Sequence, residues 1–146
     1  MEAVAEKGQP FSVRFAKSTD LYVEAEAKRL QRSKSSVVEE LAEEAARTRR
    51  FPGIAFRGDP PDREPWILGT GLDVWELCEI LDDFASVDAV VAAYEGITAA
   101  HCRLAAAFRQ AYRDEIDAAI ADNRRPVEEW LALYPFVQFV GATGQE

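Results

Sequence analysis

The sequence has few of the residues that mark disulfide-rich, membrane-spanning or metal-binding proteins. Its 146 residues include two cysteines and one histidine, too few for a disulfide framework, so we expect a reducing, cytoplasmic setting. No run of about 18 apolar residues occurs, which argues against a membrane-spanning helix. Residues 1–10 also lack the apolar segment of a secretory signal. With 48% hydrophobic residues, the chain can still bury one ordinary core or two small ones.

No lysine follows Lys34, and this absence divides the chain by charge. Residues 1–50 carry ten Lys and Arg against nine Asp and Glu, whereas residues 51–146 carry seven Arg against seventeen Asp and Glu. The two parts therefore have net charges of +1 and −10, which together give the net charge of −9. This asymmetry predicts two units with different partners, because the first can face phosphates and the second repels them.

The spacing of apolar residues predicts a mainly α chain. Helices are expected over about residues 20–31 and 36–49, the second opened by a capping box of Ser36 and Glu39. Apolar residues on both sides of the proline-rich run 58–65 allow a short β-hairpin. Further helices are predicted over approximately residues 74–81, 87–94, 98–121 and 127–134.

Residues 11–17, FSVRFAK, predict a single β-strand ahead of the first two helices. Phe11, Val13 and Phe15 share one side of this strand, and Ser12 and Arg14 share the other. Because a single strand leaves its backbone groups unpaired, its simplest partner is the same strand of a second copy. The three apolar residues then form the dimer contact. The outward side chains would enter the DNA major groove, which a two-stranded ribbon fits. Pairing with residues 53–57 in an internal sheet is the alternative.

This order of strand, helix, SKSS turn and helix resembles the ribbon-helix-helix repressors of the Arc, MetJ and CopG type over about residues 10–50. The resemblance implies a homodimer that binds operator DNA through Ser12 and Arg14, with Pro10, which lacks a side-chain donor, at the third base-reading position. It also implies a phosphate contact at the start of the second helix, by Lys34, Ser35 and Ser36. Lys17, just after the strand, is a candidate contact to the DNA backbone. An ordinary cap and solvated turn is the alternative for the SKSS run.

Two blocks within residues 65–112 are similar to a small bacterial helical family catalogued as domain of unknown function 433. The blocks are Pro65, Ile67, Gly69, Thr70, Leu72 and Val74, then Ser86, Val90, Tyr94, Ile97 and Thr98. The chain departs at Gly71, where the family has arginine, and at Glu95, where it has proline. The resemblance implies a three-helix fold related to the helix-turn-helix. It also implies the role of a VapB-type antitoxin against a PIN-like ribonuclease toxin.

The acidic half is expected to bind such a toxin through charge and aromatic contacts. An acidic surface can cover the basic rim of a ribonuclease, and Arg124 or Arg125 would reach its metal-binding carboxylates. The expected hydrophobic anchors in the tail are Trp130, Leu133, Tyr134, Phe136 and Phe139. Because Trp130 and Tyr134 stand four residues apart, packing on their own domain remains an open alternative.

Catalytic and metal-binding patterns are sparse, so we expect a non-enzyme without cofactor or metal. His101 and Cys102 are adjacent on a predicted helix and point to different faces, and the acidic pairs are typical of solvated helix surfaces.

The predicted segments are a disordered terminus (1–9), a ribbon-helix-helix domain (10–50), a proline-rich connection or hairpin (51–65), an acidic helical domain (66–125) and an aromatic tail (126–146).

The sequence therefore predicts a dimeric antitoxin that binds operator DNA, represses its own transcription and neutralises a ribonuclease. One alternative is a ribbon-helix-helix regulator whose second domain senses a ligand or oligomerises. Another is an interaction module that does not bind DNA.

Overall fold

The computed structural model describes residues 6–138, and the chain divides into two units, Met1–Arg47 and Thr48–Glu146. The described residues form seven helices and two strands, so the prediction of a mainly α chain with a short hairpin is confirmed. The elements are α1 (Lys17–Leu30), α2 (Lys34–Arg50), β1 (Ile54–Arg57), β2 (Glu64–Ile67), α3 (Val74–Asp83), α4 (Val87–Ala93), α5 (Ala99–Ala111), α6 (Arg113–Asn123) and α7 (Val127–Leu133).

The first unit is a pair of helices with a small core. α1 ends where Gln31 adopts a left-handed conformation with φ of 51°, a common way to terminate a helix. Ser33 then opens α2, because its Oγ accepts the backbone N–H of Ser36 at 3.0 Å. Among the described residues of this unit, Val23 and Val37 are the buried hydrophobic side chains. Two buried valines make a very small core for a unit of this size.

Three details of the first unit differ from the predictions. α1 begins at Lys17 rather than near residue 20, so Lys17 is helical and does not end a strand. The predicted capping box of Ser36 and Glu39 is wrong, because Ser33 caps α2 and the Ser36 hydroxyl accepts from Arg32. Residues 11–16 have no regular secondary structure, so the strand predicted over residues 11–17 is not seen.

The hairpin opens the second unit. β1 and β2 pair antiparallel, with Ile54 opposite Ile67 and Arg57 opposite Glu64. Both isoleucines are fully buried, so one face of the hairpin covers the helical core. The alternative in which residues 11–17 join this sheet is wrong, since β1 pairs with β2 in a two-stranded sheet within residues 6–138. The segment 51–65 is therefore part of the second unit rather than a plain connection.

Helices α3, α5 and α6 surround the core of the second unit. Its buried residues are Ile54, Ile67, Val74, Leu77, Cys78, Val90, Ile97, Cys102, Ala105, Phe108, Ile116 and Ile120. The two thiols are each 1% exposed, and burial raises the pKa of Cys78 to about 11. Ser86 and Thr98 cap α4 and α5 as predicted. His101 completes the second cap, since its Nδ1 accepts the Thr98 N–H at 3.1 Å.

The predicted long helix over residues 98–121 is wrong, because Tyr112 divides it into α5 and α6. Tyr112 leaves the helical conformation, with φ of −129° and ψ of 48°. Its ring lies 4.7 Å from Phe108 and 6.0 Å from Phe51, and its hydroxyl accepts from Arg50 at 3.0 Å. The break lets α6 pack against α3 and place Ile116 in the core.

Arg109 joins the three helices of this core by ion pairs. From α5, its Nη1 lies 2.7 Å from Asp82 of α3, and its Nε lies 2.8 Å from Asp117 of α6. The Arg109 side chain is 20% exposed, so its charge is partly shielded from water. The hydrogen bond from Arg109 lowers the pKa of Asp82, and the same bond raises the pKa of Arg109.

We expect Arg109→Met to lower the free energy of unfolding of the second unit by about 1 kcal/mol at neutral pH, allowing for solvent screening of the half-exposed carboxylates. Because the pKa of Asp82 is lower in the folded chain, this stabilisation is present above pH about 4 and is lost as pH falls through the folded pKa. The difference between the two proteins should therefore shrink on acidification. Urea unfolding of both proteins at neutral pH and near pH ~3 measures this.

Arg113→Met is the matched control, because Arg113 is 62% exposed and lies 3.9 Å from Asp117. Its effect should stay within about 0.5 kcal/mol at both pH values. A destabilisation by Arg109→Met that persists unchanged in acid would show that the ion pairs are not its cause.

Candidate DNA-binding face and protein-binding surface

The segment before α1 exposes a row of large apolar side chains. Phe11 is 86% exposed, Val13 57% and Phe15 37%. Together with Val38 and Ala42 of α2, these side chains line one groove. The same segment is fixed near α2 by an ion pair of 2.6 Å between Lys7 and Glu39. Within the described residues of this unit, the apolar groove is left open to solvent.

Arg14 and Lys17 carry the positive charge of this segment without an opposing carboxylate. Both are exposed, as is Ser12, and neither cation forms an ion pair within residues 6–138. Most other cations of the unit are neutralised, by the pairs Lys7–Glu39, Arg29–Glu26, Arg32–Glu40, Lys34–Asp20 and Arg47–Glu43. Two of the unit's unpaired cations, Arg14 and Lys17, therefore lie beside the apolar row. Lys28 of α1 is the third cation without an ion pair among the described residues.

Lys34, the first residue of α2, is held by two carboxylates of α1. Its Nζ forms an ion pair with Asp20 and lies 3.6 Å from Glu24. The hydrogen bond with Asp20 is the main cause that raises the pKa of Lys34. The sequence predicted a phosphate contact for this ammonium, and in the structure its charge is already compensated.

The serines of the SKSS run have separate roles. Ser36 accepts from Arg32 Nη2 at 2.8 Å, and Arg32 also contacts Glu40 at 2.9 Å. Ser33 occupies the Ser36 N–H, whereas Ser35 is exposed. Arg32 was not among the residues predicted from the sequence. It lies in the turn before α2, where the spacing rules for a helix surface do not apply.

The tail forms an aromatic patch, which we define as the half-buried Trp130 with the exposed Leu133, Tyr134 and Phe136. The rings of Trp130 and Tyr134 stack at 5.7 Å, and Phe136 meets Tyr134 edge-on at 6.2 Å. Within the described part of the chain, α7 has no buried residue and the patch lies outside the core of the second unit. Phe139, the fifth predicted anchor, lies outside the described residues.

Both arginines predicted to reach a partner are engaged within their own unit. Arg124 bonds to Glu79 and Asp83, each at 2.8 Å, and these bonds raise its pKa. Arg125 lies 2.7 Å from Asp122 and 3.7 Å from Glu129, and its guanidinium stacks over the Trp130 ring at 5.1 Å. Two arginines thus face four carboxylates, so these contacts leave no net positive charge for a partner.

The backbone conformation at position 71 favours glycine, although the helical family has arginine there. The φ of Gly71 is +71°, in the left-handed region where an arginine would be strained. Its carbonyl accepts from Arg57 at 3.1 Å, so a cation reaches this loop from β1 instead.

Among the described residues there is no cluster of potential metal ligands and no helix with the length and apolarity to cross a bilayer.

Comparison with protein-family models, with curated proteins and with solved structures gave no match for this chain. The two family resemblances therefore stay predictions. The described residues leave two candidate surfaces, the apolar row beside Arg14 and the aromatic patch of the tail.

Proposed function

We propose that the protein is a homodimeric DNA-binding antitoxin. Residues 10–50 of two copies would form a ribbon that binds operator DNA, and the acidic second unit would capture a PIN-like ribonuclease. The observation that supports this most is the segment 11–17. It combines an uncovered apolar row with two cations that have no ion-pair partner within residues 6–138.

The apolar row supports association with a second copy. Its three side chains line a groove of their own unit, whose core among the described residues is otherwise two valines. Full burial of a Val or Phe side chain contributes about 1.5–3 kcal/mol. Scaled by the exposed fraction of Phe11, Val13 and Phe15, the row of two copies can contribute about 5–11 kcal/mol, which is comparable with an association cost of about 4–15 kcal/mol. Pairing the two segments would also satisfy their backbone groups.

The outward side of such a ribbon would carry the DNA contacts. Ser12 and Arg14 alternate with the apolar residues, so burial of one set exposes the other. An arginine at this place can donate two hydrogen bonds to guanine in the major groove. Lys17 follows at the start of α1, where its exposed ammonium can contact a phosphate.

The second unit supports the capture of a basic protein. Its net charge of −10 comes from the sequence of residues 51–146, and Arg125, which stacks over Trp130, is itself paired with Asp122 and Glu129. A partner with an apolar groove and a basic rim would match this surface, as expected of a ribonuclease that binds RNA. Because Arg124 and Arg125 are engaged by their own carboxylates, we assign the main contact to the aromatic patch.

We expect Arg14→Ala to weaken binding to the specific DNA site by about 1–3 kcal/mol, because a bidentate contact to a base is lost. The probes are a duplex from the region upstream of the protein's own gene and a scrambled duplex of equal length. Fluorescence anisotropy at one fixed salt concentration gives both affinities, and their ratio should fall.

Arg103→Ala serves as the charge-matched control, since Arg103 of α5 is exposed and forms no ion pair within residues 6–138. It should leave the ratio unchanged. An equal loss of both affinities in Arg14→Ala would show that Arg14 contacts phosphate rather than bases. Unaltered binding would refute the assigned DNA face.

A further inference from the structure

We infer that Asp20 and Glu24 compete with DNA phosphates for Lys34, and so set the strength of DNA binding without setting its sequence preference. The inference rests on the proposed DNA binding. It concerns Lys34, one of the three residues, with Ser35 and Ser36, that the sequence analysis assigned to a phosphate contact.

The geometry places both carboxylates and the ammonium on one exposed surface. Asp20 and Glu24 stand four residues apart on α1 and share the Nζ of Lys34. The side chains of Lys34, Asp20 and Glu24 are 46%, 41% and 58% exposed. Lys34 also lines the groove of the apolar row, so it lies next to the segment that would form the ribbon.

The carboxylates of Asp20 and Glu24 compensate the charge of Lys34, so a phosphate that approaches Lys34 does not meet an unpaired ammonium. One ammonium faces two carboxylates, so an approaching phosphate meets a local net charge of −1. Lys34 can contact the phosphate if its ammonium breaks its contact with Asp20, with Glu24 or with both. Exposed ion pairs are weak, so this exchange is available, but the released carboxylate then lies close to the DNA backbone. DNA contact and ion pairing are therefore competing states of the same side chain.

Removal of both carboxylates should allow Lys34 of each copy to contact a phosphate, which adds two contacts per bound dimer. We expect the double variant Asp20→Asn, Glu24→Gln to bind specific and scrambled duplexes about 60-fold more tightly near 0.1 M salt, with a salt dependence steeper by about two units. Sequence preference should not change, because phosphates carry no sequence information. Lys34→Ala should have little effect in the unmodified protein and should abolish the gain in the double variant.

A four-protein cycle tests this: the unmodified chain, Lys34→Ala, the double variant and their combination. Anisotropy titrations at several salt concentrations give the coupling between Lys34 and the carboxylates. The control is Glu26→Gln with Glu43→Gln, which removes two negative charges from the same unit but from partners other than Lys34. It should give a smaller gain that does not depend on Lys34.

The outcomes separate the inference from the function on which it rests. Binding that depends on Arg14, with additive effects in the cycle, overturns the inference alone. Absence of DNA binding by every protein of the cycle overturns it together with the proposed function. Circular dichroism and sedimentation report folding and assembly. Asp20 lies in the first turn of α1, so Asp20→Asn could lower helicity. In that case the cycle with Glu24→Gln alone is the test, with an expected gain of about eightfold for the dimer.

Discussion

Val13→Asp is expected to convert the dimer into monomers. The unmodified protein should sediment as a dimer, because the apolar row formed by Phe11, Val13 and Phe15 is uncovered in a single chain. Because Val13 is 57% exposed in the single chain, loss of two valines from the interface removes about 2–3.5 kcal/mol, which corresponds to a dissociation constant raised roughly 30-fold to 300-fold. A buried carboxylate adds to this loss. Sedimentation equilibrium over a range of concentrations measures the constant directly.

Ser12→Asp is the control, since it adds the same charge one residue away on the opposite side of the segment. It should preserve the dimer and weaken DNA binding, because its carboxylate would face phosphates. Val13→Pro should also dissociate the dimer by removing a backbone donor from a paired strand. A stable, folded monomer of the unmodified chain would refute the ribbon and the dimer with it.

Deletion of residues 127–146 is expected to abolish ribonuclease capture while the unfolding transition of the second unit is retained. The aromatic patch lies outside the described core, and α7 has no buried residue among those described. Exposed aromatic side chains typically dominate binding energy, at about 2 kcal/mol or more for each important residue. Loss of the patch should thus weaken binding by at least about 100-fold. The probe is the product of the neighbouring gene, if that gene encodes a small nuclease.

Phe108→Ala is the control for this deletion, because it should lower stability and leave the aromatic patch intact. Phe108 is fully buried, so its truncation should cost about 3–5 kcal/mol of stability without altering the patch. Thermal unfolding, purified-complex affinity and protection of cells from the nuclease complete the comparison. If the deletion unfolds the second unit, the patch belongs to its core. If it instead removes a higher oligomer and no nuclease is bound, the alternative of an oligomerising regulator is favoured.

The parts of the fold that follow local rules were predictable from the sequence. Ser86 and Thr98 precede apolar repeats and cap their helices as expected, and the residues flanking the proline-rich run form the hairpin. The break at Tyr112 was not predictable, because an uninterrupted helical pattern runs through it. Its surroundings include Phe51 and Arg50, some sixty residues earlier in the chain. No local pattern contains such a contact.

In the candidate sites, too, the features set by local sequence were predictable and the features set by distant contacts were not. Alternation along residues 11–15 indicated which side chains would form an apolar row, and the structure leaves that row exposed. Which cations remain available depends instead on the partners that folding brings to them. Lys34 and Arg124 look like free charges in the sequence, yet each meets two carboxylates from another helix. Arg14 has no such partner in the described chain.

The buried thiols give the second unit a natural reporter of its own opening. A thiol reacts as the thiolate, and the raised pKa of Cys78 keeps it protonated near neutral pH. Cys102 is equally hidden and its pKa is also raised. An alkylating reagent can therefore modify these thiols only while the second unit is transiently open. Because the sequence has no cysteine before Cys78, this reaction does not detect events in the helix pair near the N-terminus.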